Sequence, residues 1–427
     1  MTTKVLRVYG LTIAAYLTLF FSTIVPLTGD LKTFDVIFLP SIIVVSLFSD
    51  ISLSKISSLK ACLILLTIYI ITVSTLKATL FLNDLFLTYA IALRSILPIA
   101  LPSLLFGRLG NKGKKNDIVS INSLSISLSL FWVYVSISGL YGFLTGNNIL
   151  VGFPFTEGGV DRHVLGPSLA IAIIGTTYLL SSNKSFSILN LSKSVKKYRF
   201  SEEKILASLA KLLAFLSVPF MTLAMLATGS RGSLLILGSY LIFHFSLLGF
   251  RKSTSIQNFF KRKSFLIFIA FLAIFTIILV SWLINSGSLN LIQDYSSRVF
   301  NVLGILDGTD ASRSDRIDYV LNQLTKPDVL VFGYQEPSRL VDSGVFFYIA
   351  NFGILSLLIF FLAWYFFSKR LYSNQAKAIA FSMLMLHALA SETMNIPRYL
   401  ILSVMMIALL DRYERLSTLK NLVRPQE

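Results

Sequence analysis

Arginine is the residue type whose placement in this chain most clearly indicates a chemistry. Arg231 lies in the segment Thr228-Gly229-Ser230-Arg231-Gly232, where two glycines let the backbone approach a ligand closely. Arg313 and Arg316 are spaced about one helical turn apart in a polar stretch. A guanidinium is permanently charged and binds phosphate oxygens at two points. These residues predict a phosphate-bearing substrate, although Arg231 has an alternative role as an interfacial side chain that reaches lipid headgroups.

Two more arginines extend this prediction to apolar segments. Arg94 lies midway along an apolar run, and Arg162 directly precedes another. A charge inside an apolar run is costly and marks a functional candidate by default. Arg94 therefore either binds substrate or forms a structural ion pair. Both residues are predicted to bind phosphate, and they rank second to Arg231, Arg313 and Arg316 as candidates.

Three side chains are candidates for acid/base chemistry. Asp342 lies at the mouth of an apolar run, where its carboxylate could face a cavity. Histidine titrates near neutrality, so His163 is a second candidate, with a capping or hydrogen-bonded structural role as its alternative. Glu392 is a third, and an internal ion pair with Arg398 is its alternative. Each of them could take the proton of an acceptor hydroxyl.

Neither a metal site nor a cofactor is predicted. The chain has three histidines, which are His163, His244 and His387, and one cysteine, Cys62. Scattered histidines do not form a metal site, and one cysteine cannot make a disulfide within the chain. Cys62 is interpreted as a buried apolar filler.

Membrane-spanning helices are the elements that must position these residues. The chain is 55% apolar and 14% charged, with a mean hydropathy of +0.74. Apolar runs of roughly 17–28 residues recur from end to end, the length with which a helix crosses the hydrocarbon core. The pattern predicts an all-α polytopic membrane protein of about twelve spans, in which three short runs leave the count open to eleven or thirteen. The predicted spans are 8–27, 34–48, 59–75, 80–106, 118–144, 164–180, 205–226, 233–250, 265–284, 345–367, 378–389 and 399–410. The first run is interpreted as a retained helix rather than a cleaved signal peptide.

The charge distribution predicts the orientation. The net charge is +17, and basic residues concentrate in alternate loops, as in 108–115, 193–199 and 251–263. The positive-inside rule places these loops and both termini in the cytoplasm, so the excess reflects topology and an anionic leaflet rather than nucleic acid. Lysine predominates on that side and arginine on the other. The predicted outer arginines are Arg94, Arg162, Arg231, Arg298, Arg313, Arg316, Arg339 and Arg398.

A single membrane domain, 1–427, is predicted, with a large outer loop at 285–343. Within that loop the pattern predicts a helix over 312–324, capped by Ser312 or Ser314 and followed by Pro327 and Gly333. Arg313 and Arg316 would then lie near the positive end of the helix dipole, where anions are favoured.

The order of these motifs resembles the O-antigen polymerase/O-antigen ligase superfamily of bacterial envelope glycan assembly. The likeness consists of Thr228–Gly232 between two spans, the large outer loop, the arginine-rich stretch 312–319 and the span start 342–355. It covers about half of the chain, mainly 162–410. Similar ligases usually carry a His-Asn pair at the start of the late span, where this chain has Asp342-Ser343. That departure favours the O-antigen polymerase family.

The resemblance implies a GT-C-like fold and a metal-independent glycosyltransferase on the periplasmic face of the bacterial inner membrane. Its substrates would be undecaprenyl-diphosphate-linked oligosaccharides, which it would polymerise into O-antigen or a related envelope polysaccharide. Arg231, Arg313 and Arg316, followed by Arg94 and Arg162, would bind the diphosphates, and Asp342, His163 or Glu392 would be the acid/base group. Membrane lipids are implied partners, a polysaccharide chain-length regulator stays open, and nucleic acid is not implied. The alternatives are a ligase of the same fold and a transporter of polysaccharide or lipid-linked oligosaccharide.

Overall fold

The computed structural model describes residues 2–28, 31–48, 57–80, 85–107, 114–145, 162–181, 200–228, 233, 236–240, 242, 325–333, 344–389 and 396–423. The predicted span 265–284, most of the predicted span 233–250 and the predicted helix 312–324 lie outside these residues.

The described chain is built of helices and one short ribbon. In chain order its elements are α1 (Thr2–Ser22), β1 (Pro26–Thr28), β2 (Leu31–Lys32), α2 (Thr33–Phe48), α3 (Ser58–Leu80), α4 (Leu85–Gly107), α5 (Lys114–Thr145), α6 (Arg162–Ser181), α7 (Phe200–Ala227), α8 (Pro327–Phe332), α9 (Gly344–Phe352), α10 (Ile354–Arg370), α11 (Asn374–Leu389) and α12 (Pro397–Val423). The two strands pair in antiparallel fashion between α1 and α2.

Several described helices are suited to a membrane by length and composition. Four contain an apolar stretch long enough to cross the hydrocarbon core: Ser58–Leu80, Thr88–Phe106, Ile121–Tyr141 and Ser208–Met225. Shorter apolar helices cover Val8–Ser22, Thr33–Phe48 and Val164–Leu180. The chain is a helical membrane protein, as its composition predicts. The count of about twelve spans stays a prediction.

The predicted span 345–367 is wrong as a single helix. The chain leaves helical geometry at Gly353, with φ 79° and ψ 174°, so that α9 ends at Phe352 and α10 begins at Ile354. Such a backbone conformation is essentially restricted to glycine. Pro327 begins α8 and Gly333 is its C-cap. The predicted helix 312–324, which these two residues were expected to end, lies outside the described residues.

The helix α12 forms the centre of the described bundle. Its residues 399–411 are all buried, and it packs on α4, α5, α6 and α11. Gly175 of α6 permits close approach, because a Cβ atom there would lie 2.4 Å from Sδ of Met406. Lipid tails are as apolar as leucine, so close contacts and interhelical hydrogen bonds hold membrane helices together. Ser46 Oγ provides such a bond by donating to the Ala100 carbonyl of α4 at 2.9 Å.

Candidate functional site

The structure describes the predicted site residues unequally. Arg94 is described with its side chain on α4, and Arg162 and His163 form the start of α6, with only their backbone described. Arg231, Arg313, Arg316, Asp342 and Glu392 lie outside the described residues. Their proximity to one another therefore stays a prediction. The helix α7 ends at Ala227, directly before the predicted break at Thr228, and Thr228 Oγ1 donates to the Met225 carbonyl at 2.6 Å.

Arg94 forms an ion pair with Asp35 of α2. Its Nη2 atom donates to Asp35 Oδ2 at 2.7 Å, and its Nε atom donates to Oδ1 at 3.3 Å. Asp35 also accepts the Lys32 backbone N–H at 3.1 Å, which connects the ribbon to the first turn of α2. The Asp35 side chain is 6% exposed and the Arg94 side chain 30%. The structural alternative for Arg94 is thus realised, and phosphate binding by Arg94 stays a prediction.

A second cation inside the bundle is Lys77 of α3, which the sequence analysis did not single out. The predicted span ended at residue 75, whereas α3 continues to Leu80. Lys77 is 5% exposed, and its Nζ atom donates to the Asn351 carbonyl of α9 at 2.5 Å. The available signal was a lysine within one turn of a long apolar run, in a stretch free of glycine and proline. That composition permits the helix to continue and carry the lysine inward.

Lys77 contributes to the capping of the helix break between α9 and α10. The last carbonyls of a helix have no partners within it, and lipid offers none. The Ile349 carbonyl accepts the Gly353 N–H at 2.8 Å, and the Tyr348 carbonyl accepts Ser356 Oγ at 3.1 Å. Lys77 supplies the donor for Asn351. A positive charge at this end of α9 is also favoured by the helix dipole.

The short helix α8 is joined to this break by backbone-to-backbone contact. A Cβ atom on Gly353 would lie 1.8 Å from the Val331 carbonyl oxygen, and one on Gly333 would lie 2.5 Å from the Ala350 carbonyl oxygen. Both glycines have positive φ, 78° at Gly333 and 79° at Gly353. Tyr69 of α3 donates its hydroxyl to the Val331 carbonyl at 2.6 Å. We call these contacts, together with the bond from Lys77, the break joint.

The helix α9 and the Arg94–Asp35 pair both contact α4. Tyr348 of α9 is fully buried, and its hydroxyl donates to the Ser95 carbonyl at 2.8 Å. Ser95 directly follows Arg94, so adjacent residues of α4 contact α9 and α2. The arrangement places two cations on neighbouring helices, one bound to a carboxylate and the other to a carbonyl.

A separate polar network surrounds Asp411 of α12. Asp411 is fully buried and accepts the backbone N–H groups of Tyr372 and Ser373, the latter at 2.9 Å. Arg415 Nε donates to it at 2.8 Å, and Arg415 Nη2 donates to the Arg370 carbonyl at 2.9 Å. The bonds to Tyr372, Ser373 and Arg370 secure the turn between α10 and α11 against α12, and the Arg415–Asp411 pair lies within α12. This network is structural.

Within the part of the chain that the structure describes, no group of three or more His, Cys, Asp or Glu side chains could hold a metal ion. Comparison of the chain with family models, curated proteins and solved structures finds no match.

Proposed function

We propose that this protein is a periplasmic-face glycosyltransferase that polymerises undecaprenyl-diphosphate-linked repeat units into O-antigen or a related envelope polysaccharide. The observation that carries the proposal is Arg94, an arginine within an apolar helix whose side chain remains 30% exposed beside its buried partner Asp35. A charged residue inside a membrane bundle is a candidate for a ligand path by default. The planar N–H donors of an arginine are suited to the phosphate oxygens of a lipid headgroup rather than to a neutral sugar.

The chemistry requires stabilisation of a diphosphate leaving group. An acceptor sugar hydroxyl attacks the anomeric carbon of the donor, the bond from that carbon to the diphosphate oxygen breaks, and the hydroxyl proton passes to a base. Arg231, Arg313 and Arg316 are proposed to bind the diphosphate as negative charge develops on it. Asp342 is the first candidate for the base, and His163 and Glu392 are lower-ranked candidates.

Arg94 and Arg162 take second rank in this proposal. Asp35 compensates the charge of Arg94 through two hydrogen bonds, so the pair presents little net charge to a second anion. Arg94 is proposed to contribute by directing its remaining guanidinium N–H groups toward the substrate. Arg162 would act at the N-terminus of α6, where helix amides also favour an anion.

The decisive experiment incubates purified protein with lipid-diphosphate-linked repeat units and separates the products by length. We expect a ladder of polymers with and without chelator, and no ladder from Arg231→Ala. Arg251→Ala, in a predicted cytoplasmic loop, is the matched control and should retain the ladder. A normal ladder from Arg231→Ala at equal protein level would falsify the assignment. Attachment of glycan to added lipid A core, without lengthening, would instead identify the ligase reaction.

One observation favours a transporter as the second candidate. Helices interrupted within the membrane occur at the substrate sites of many transporters, and the chain has such an interruption at Gly353. Here, however, Lys77 and α8 occupy the carbonyl end of the interruption. Proteoliposomes with fluorescent lipid-linked repeat units distinguish the two functions. A polymerase lengthens the glycan, whereas a transporter moves it across the bilayer unchanged.

A further inference from the structure

We propose that Tyr69 and Lys77 are positioning residues that lock the break joint and thereby fix two chain segments that carry proposed site residues. The functional consequence depends on the proposed glycosyltransferase activity, whereas the lock itself does not. Neither residue is proposed to touch substrate.

The helix α3 caps two helices at once. Tyr69 donates to the last turn of α8 through the Val331 carbonyl, and Lys77 donates to the last turn of α9 through the Asn351 carbonyl. The two side chains are eight residues apart, which corresponds to a rise of about 12 Å along one helix. A single rigid element therefore holds both halves of the joint.

The break joint leaves no room for α8 and α9 to move relative to each other. The backbones of α8 and the break approach so closely that neither Gly333 nor Gly353 has room for a methyl group. A relative shift of α8 and α9 must break the Tyr69 or the Lys77 hydrogen bond. The Asn351 carbonyl, which is buried inside the bundle, would then lose the donor that Lys77 supplies.

The two helices of the break joint are connected along the chain to the segments that carry proposed site residues. Arg313 and Arg316 precede α8, and Asp342 lies two residues before α9 begins at Gly344. The segment that carries the arginines is followed by α8, which begins at Pro327, and the segment that carries Asp342 connects Gly333, at the end of α8, to Gly344, where α9 begins. Fixing α8 against α9 therefore fixes the points at which both segments join the described bundle, and small misplacements of reacting groups reduce rates by as much as about 100-fold.

Lys77→Met and Tyr69→Phe test the lock, and each has a matched control. Lys60→Met removes another buried lysine of α3, whose Nζ atom has no hydrogen-bond partner among the described residues. Tyr134→Phe removes a hydroxyl from a tyrosine of α5 that is 42% exposed. Tyr69→Phe deletes a single hydroxyl, so it keeps the proposal testable if Lys77→Met fails to fold.

The first measurement is hydrogen–deuterium exchange of the purified protein without substrate. We expect amides of 327–333 and 344–353 to exchange at least about tenfold faster in Lys77→Met and Tyr69→Phe than in either control, because capped carbonyls are released. Amides of α5 and α7 should be unchanged. Unchanged exchange at the joint in Tyr69→Phe, and in Lys77→Met where it folds, would refute the lock.

The second measurement is the kinetics of polymerisation. We expect kcat to fall by about tenfold or more with KM within about threefold, since positioning acts on the reacting geometry. A raised KM at unchanged kcat would make Lys77 a substrate-binding residue and overturn the positioning role. If the wild-type protein makes no polymer, the proposed function fails, and the exchange measurement alone decides the lock.

Discussion

Replacing Gly353 with alanine is expected to force the break joint apart. The new Cβ atom would lie 1.8 Å from the Val331 carbonyl oxygen, whereas a carbon and a carbonyl oxygen approach to about 3.3 Å at closest. Either α8 or the break must therefore move by about 1.5 Å. A shift of that size is sufficient to break the 2.6 Å hydrogen bond from Tyr69 to Val331, because contacts near 3.6 Å no longer count as hydrogen bonds.

The magnitude of the effect combines two contributions. Alanine at φ 79° and ψ 174° occupies a backbone region that costs about 1–3 kcal/mol. Loss of one neutral hydrogen bond adds about 0.5–1.5 kcal/mol. We expect Gly353→Ala to destabilise the protein by about 2–4 kcal/mol.

Thermal unfolding in detergent, followed by intrinsic fluorescence, measures this effect. The matched control is Gly10→Ala on α1, where an added Cβ atom meets nothing within 4 Å and alanine has the better helix propensity. The midpoint should fall by several degrees in Gly353→Ala and stay level or rise slightly in Gly10→Ala. Equal midpoints for the two variants would refute the reasoning about the joint.

Three further perturbations follow from the described contacts and the proposed chemistry. Arg94→Met leaves the Asp35 carboxylate 6% exposed without its cation, which should cost about 3–5 kcal/mol in thermal unfolding, and the double variant with Asp35→Asn should regain most of it. An Arg94→Met midpoint equal to wild type would contradict the ion-pair assignment. Asp411→Asn keeps an acceptor for the backbone N–H groups of the α10–α11 turn but loses the charge that pairs with Arg415. Its midpoint of thermal unfolding should therefore fall by the equivalent of about 1–2 kcal/mol. An unchanged midpoint would show that the charge is dispensable. Asp342→Asn should abolish the polymer ladder at normal protein level, and an unchanged ladder would exclude this carboxylate as the base.

The positions of the described helices were largely predictable from the sequence. Runs at 118–144, 164–180 and 205–226 correspond to α5 (Lys114–Thr145), α6 (Arg162–Ser181) and α7 (Phe200–Ala227). The reason is physical: a backbone in lipid must satisfy its own hydrogen bonds, so an apolar run of sufficient length forms a helix regardless of its neighbours. Length and composition decide the element.

The break at Gly353 was not predictable in the same way. A single glycine in an apolar run also occurs within continuous membrane helices, where small residues serve close packing. What distinguishes Gly353 is α8, whose backbone occupies the space beside it and comes from a preceding segment of the chain. The partner of Arg94 was not predictable for a similar reason, because Asp35 lies 59 positions earlier, on α2, and α3 separates α2 from α4 in the chain. Interactions between spans determine both features.

The choice of a lysine at the break joint is informative about its role. Burying an ammonium costs several kcal/mol. A hydrogen bond from a charged donor returns about 1.5–3 kcal/mol, and the C-terminal dipole of α9 adds up to about 2 kcal/mol, so the closed joint gains little net stability from Lys77. In an open joint, the Lys77 amine and the Asn351 carbonyl would both lose their partner, while the surrounding helices still exclude water from a side chain that is 5% exposed. The lysine therefore favours the closed arrangement over the open one, as expected of a residue that fixes a single geometry of α8 and α9.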